Sequence, residues 1–92
     1  MSQHIALRMS ADAKILAELL ELASRYAAQQ ARPDDRVHCD LNINGGDFLE
    51  FVVDVEGRYG VDLSWVSPHD PRAEASDPTI QSLANDVVAQ RA

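Results

Sequence analysis

The sequence predicts an all-α fold, on three observations. Apolar residues recur at three- and four-residue steps in three separate stretches. Proline and glycine stand between those stretches, and no segment alternates for long in the manner of a strand. At 92 residues the chain has length for one domain, residues 1–92, and none for a second. The expectation is a small bundle of three main helices and a fourth short one, with a long first loop.

The first helix is expected over about 10–31. Ser10 is a suitable N-cap, and Asp12 suits a first turn. Ile15, Leu16, Leu19, Leu20, Leu22, Ala23, Tyr26 and Ala27 then form a stripe wide enough to face a core. Pro33 disfavours helical geometry at Arg32, so the helix should stop by about residue 31. Beyond "RPDDR", the large apolar residues Val37 and Leu41 are all that precede Ile43, which describes a loop pinned at a few points.

A second helix is expected over 47–59. Asp47 and Glu50 have the spacing of a capping box, and Gly60 directly after Tyr59 is the expected left-handed stop. Phe48, Leu49, Val52, Val53, Val55 and Tyr59 make a broad apolar face, with Asp47, Glu50 and Asp54 opposite. "VDLSWVSPHDPRAEASDP" holds three prolines in eighteen residues and reads as irregular, with room for one short helical turn. Asp77 as N-cap and Pro78 at the first helical position open the last helix, about 77–90. Its buried side is Ile80, Leu83, Ala84, Val87 and Val88.

Charge narrows the classes of function. Eight basic residues against fifteen acidic ones leave a net −7, and the isoelectric point is near 4.6. A nucleic-acid backbone needs a basic face, and anionic membrane surfaces repel an acidic one, so neither is expected as a partner. Opposite fields steer encounter, so the expected partner is basic. The single cysteine, Cys39, has no partner for an internal disulfide, and no stretch approaches the ~20 apolar residues of a membrane span. The expectation is a cytoplasmic monomer.

One stretch, "DLNINGGDFLEF" from Asp40 to Phe51, carries two chemistries. Asp40, Asn42, Asn44 and Gly45 match positions 1, 3, 5 and 6 of an EF-hand calcium loop. Position 12 is Phe51, however, and the glutamate stands one residue early at Glu50. On a helix that residue is worth ~100°, which turns the carboxylate away from the ion. No helix enters the loop, because Pro33 ends the preceding one. A degenerate calcium-binding domain is therefore an alternative function and not the leading one, and no metal ligand is assigned.

The other chemistry comes with a resemblance. Val37, Asp40 and Leu41, then "DFLEFVVDVEGRYGVDL" from Asp47 to Leu63 and "DPTIQSLANDVV" from Asp77 to Val88, resemble the acyl carrier protein family. The likeness covers about residues 37–90 and runs without gaps from Val37 to Leu63. It extends to a group of bacterial carrier-like proteins with "GD" or "GDD" where the serine motif is expected. The resemblance implies an acidic four-helix bundle with a long first loop. It also implies 4′-phosphopantetheine on a serine that opens the second helix.

Here this chain departs from the family. Where the pattern places Asp-Ser-Leu, the residues are Asn44, Gly45 and Gly46. The arm is a phosphodiester on a hydroxyl oxygen, and Gly45 offers none. Between Val37 and Leu63 there is neither serine nor threonine, and Ser64 and Ser67 lie past the second helix. Cys39 stands six residues too early. No cofactor is expected.

The resemblance leaves a docking surface. Residues 40–62 hold six acidic side chains against Arg58. By position, Asp47, Glu50 and Glu56 would be the acidic contacts and Leu49 and Val53 the apolar ones, facing a basic patch on a partner enzyme. A plainer role competes for the same residues. Asp47 and Glu50 would cap the helix, at ~0.5–2 kcal/mol, and Leu49 and Val53 would be core.

Other candidates carry less. His38, Cys39 and Asp40 are adjacent, which splays their side chains, and no second cluster completes a zinc shell. His4, His38 and His69 give no pattern for a Cys–His nucleophile. Trp65 is expected to seal the bundle. The glycine pair lacks the lysine and strand of a phosphate loop. With no acid, base and nucleophile set, an enzyme is not expected. The leading expectation is a noncatalytic, carrier-like binding partner or regulator of an acyl- or aminoacyl-handling enzyme. A plain helical interaction module is the further alternative.

Overall fold

The computed structural model describes the backbone of residues 2–64 and 77–91, with side chains from Asp12 onward. Three helices form: α1 from Ser2 to Ala27, α2 from Gly45 to Tyr59, and α3 from Ile80 to Arg91. No strand occurs among the described residues, and the brief alternation in "HCDLNIN" is a turn, not a strand. The expected fourth short helix, and Trp65, fall mainly in 65–76, outside the described residues. Among the described residues no helix is long and apolar enough to cross a membrane.

α1 begins eight residues before the expected Ser10. The reason is local: residues 2–9 contain neither glycine nor proline, so nothing stops the helix from running outward. It also ends earlier than expected, at Ala27, well before Pro33. Ser24 explains this end. Its hydroxyl donates to the Leu20 carbonyl at 2.6 Å and accepts from the Ala31 N–H at 2.9 Å. That folds the chain back over the last turn, and Ala28 takes a left-handed φ of 56° to make the reversal.

The loop 28–44 is long, as expected, and closely tied. Asp35 accepts from the Arg32 N–H at 2.9 Å. Arg36 and Thr79 form an isolated antiparallel bridge. Val37 N–H donates to the Pro78 carbonyl at 2.9 Å, and Ile80 N–H donates to the Asp35 carbonyl at 3.1 Å. The loop's apolar pins, Val37, Leu41 and Ile43, are buried.

Both downstream N-caps differ from the capping signals in the sequence. α2 starts at Gly45, after an extended Asn44, so Asp47 is the third helical residue and no capping box forms. α3 starts after Thr79, whose Oγ1 accepts from the Ser82 N–H at 3.1 Å. Asp77 is drawn away to the first loop, where it accepts from the His38 N–H at 2.7 Å and the Cys39 N–H at 3.2 Å. The Arg36–Thr79 bridge holds that stretch extended, and a helix can begin only beyond it. Gly60 does close α2 as expected, with φ 64° and its N–H on the Glu56 carbonyl at 2.8 Å.

The core joins all three helices to the loop. Leu19, Leu22 and Ala23 come from α1, Phe48, Phe51 and Val55 from α2, and Ile80, Leu83, Ala84 and Val87 from α3. Phe51, fully buried, meets the Tyr26 ring edge-on at 5.7 Å between centroids.

Candidate functional site

α2 presents three longitudinal faces. Phe48, Phe51 and Val55 point into the core, with Val52 and Tyr59 at its margin. Leu49 and Val53 leave that face: they are 50% and 64% exposed. The sequence pattern had grouped them with the apolar core residues. The structure separates them because the inward arc of α2 is already filled by two phenylalanines and Val55.

The acidic flank stands beside them. Asp47 and Glu50 are exposed, and neither carboxylate hydrogen-bonds a described residue. Asp54 pairs with Arg58 at 2.9 Å, one turn along. The field of this flank reaches Tyr26 on α1. Partial burial, then the charges of Asp54, Glu50 and Asp47, raise its phenol above the usual range. Three carboxylates therefore act on one side of the helix.

Glu56 stands apart from this group. It is half-buried, and its Oε2 accepts from the Leu63 N–H at 2.8 Å, which ties the chain leaving α2 back onto the helix. That bond is a structural task the spacing alone did not suggest.

At the start of α2, Asn44 flanks the helix without capping it. Its side chain is used elsewhere: Oδ1 meets His38 Nδ1 at 2.9 Å, and Nδ2 donates to Asn42 Oδ1 at 3.2 Å. The same His38 nitrogen lies 2.7 Å from the Ile43 carbonyl, and the ring tilts against Phe48 at 4.5 Å. Gly45 has φ 58°, and a Cβ built on Gly45 or Gly46 meets nothing within 4 Å. Space for a side chain exists here, but no hydroxyl does.

The calcium-type spacing does not converge. Asn42 and Asn44 bond each other, Asp40 accepts from the Arg36 N–H at 2.8 Å, and Phe51 is buried in the core. Among the described residues no three His, Cys, Asp or Glu side chains gather as a metal site. Cys39 is exposed, and His38 is occupied with the loop, so the two form no nucleophile–base pair.

Of the open clefts that adjoin α1 among the described residues, two are larger than the ≈190 Å³ of a third lined by Glu18, Glu21, Leu22, Arg25 and Arg58. One, of ≈240 Å³, lies against α3 and includes Leu16, Ala84 and Val88 with Asp12, Gln81 and Asn85 at its rim. The other, of ≈270 Å³, lies against α2 between Leu22, Arg25, Tyr26 and Asp54. Neither brings together an acid, a base and a nucleophile. No protein-family model, curated protein or solved structure matches this chain.

Proposed function

We propose that this protein is a carrier-like docking domain without a prosthetic arm, which binds a basic surface on an enzyme that handles acyl or aminoacyl groups. It acts as a noncatalytic partner or regulator. The observation that carries the reading is the exposure of Leu49 and Val53 beside Asp47 and Glu50. Two large apolar side chains in water, framed by carboxylates, are what a basic, partly apolar patch fits.

The long loop before α2 and the left-handed exit at Gly60 agree with the carrier pattern. The missing hydroxyl at Asn44–Gly46 removes the family's chemistry and leaves its recognition surface. Intact-mass measurement of the protein co-expressed with a broad phosphopantetheinyl transferase tests the reading. An unchanged mass is expected, whereas an added pantetheine arm would overturn it.

A further inference from the structure

Gly46, Leu49, Val53 and Gly57 lie at i, i+3, i+7 and i+11 on α2, a spacing that aligns them along one side of a helix. All four are exposed. We infer that this stripe receives a basic helix of the partner, laid close against α2 with Gly46 and Gly57 letting the two backbones approach. The inference rests on the docking reading above and specifies the partner's element.

The glycines carry the argument. A glycine is used where backbone must turn left-handed or where something must come near. Gly57 has no positive φ, and a Cβ there meets nothing within 4 Å, so neither its conformation nor the core calls for glycine. It lies in the last turn of α2, two residues before Tyr59 ends the helix, where glycine is still a poorer helix former than alanine. Val53, 64% exposed, is likewise a weak helix former with little packing in return. Two local choices against helix stability on one exposed stripe mark a surface selected for contact, not for folding. Small residues let helices pack backbone to backbone, and the two apolar side chains supply the contact area.

Charge selects the occupant. A second copy would bring Asp47, Glu50 and the Asp54–Arg58 pair against the same groups, a net repulsion of the unpaired Asp47 and Glu50, and an anionic bilayer would be repelled likewise. A helix with lysines or arginines flanking small and apolar residues meets both requirements. An extended basic strand meets only the charge.

The probe is a stapled helical peptide with leucines and alanines on one side and flanking lysines, titrated into the full chain while backbone amide shifts are followed. Two controls match it, one with glutamates for the lysines and one basic but kept extended by prolines. The basic helix is expected to shift Gly46, Leu49, Val53 and Gly57 and to bind about tenfold more tightly than either control. Gly57→Leu, which intrudes on the close approach, should weaken it by about tenfold while a thermal melt shows the variant folded. Equal affinity for the extended basic peptide, or an unchanged affinity in Gly57→Leu, overturns the helix-packing inference and leaves the docking surface standing. Equal binding of the acidic helix, or shifts centred away from α2, overturns the docking reading itself.

Discussion

The phenol of Tyr59 donates a hydrogen bond to Glu18 Oε1 at 2.7 Å, joining α2 to α1 at the end where Arg91 of α3 lies 5.6 Å from the same ring. Burial first, then this bond and the negative charge of Glu18, push the Tyr59 pKa up from 10.0 to about 12. Ionising the phenol removes the donor and sets two negative charges together. Because the folded value lies above the unfolded one, the stabilisation is fully present below pH 10.0 and is lost as pH rises towards 12. Urea denaturation across that window should show stability falling in the native chain. The fall should be shallower in Tyr59→Phe, which is itself expected to be about 1 kcal/mol less stable at neutral pH. Parallel curves for the two proteins would refute the assignment.

The two left-handed helix ends should respond with opposite signs. Ala28 is exposed and held at φ 56°, a conformation that costs an L-residue roughly 1–2 kcal/mol. Ala28→Gly is therefore expected to stabilise by about 0.5–1 kcal/mol. Gly60 has φ 64°, so Gly60→Ala should destabilise by about 1–2 kcal/mol. Thermal melts of both variants decide this, and a destabilised Ala28→Gly would contradict the proposed end of α1.

Asp77 fastens the first loop to the entrance of α3 through the His38 and Cys39 N–H groups. The carboxylate is half-buried, so removing it leaves those donors without their acceptor. Asp77→Ala should cost about 1–2 kcal/mol and speed amide exchange at His38 and Cys39 before the rest of the chain. Unchanged exchange at those two amides would show that the contact contributes nothing.

A hydroxyl can be introduced at either glycine, and the two are not equivalent. Serine at Gly45 would adopt φ 58° and strain the start of α2 by roughly 1–2 kcal/mol. At Gly46 there is open space and no such φ. Gly46→Ser is expected to be fully folded, and Gly45→Ser folded but less stable. If α2 is a docking face of the carrier kind, at least one gains a pantetheine arm from a broad transferase. Two folded, unmodified variants on intact-mass analysis would count against that face.

Much of the architecture was legible because its signals are local. A glycine after Tyr59 stops α2 by backbone sterics alone, and Ile80, Leu83, Ala84 and Val87 lie on the inner side of α3 by helical period. The isolated apolar residues Val37, Leu41 and Ile43 mark where the loop reaches the core. The helix starts were less legible. Asp47 and Asp77 carry strong capping signals, but a cap is a competition for one acceptor. Asp77 is claimed by amides thirty-eight and thirty-nine positions away, which no local pattern displays.

The sequence by itself determined that the chain is helical and acidic and has no hydroxyl at the opening of α2, because periodicity, charge and residue identity need no neighbours. Only the tertiary structure decided which apolar residues of α2 are core. Phe51 went inward, while Leu49 and Val53 stayed in water. The physical reason is space: an apolar arc wider than the groove that receives it must leave one edge outside, and which edge depends on what α1, α3 and the loop have already filled.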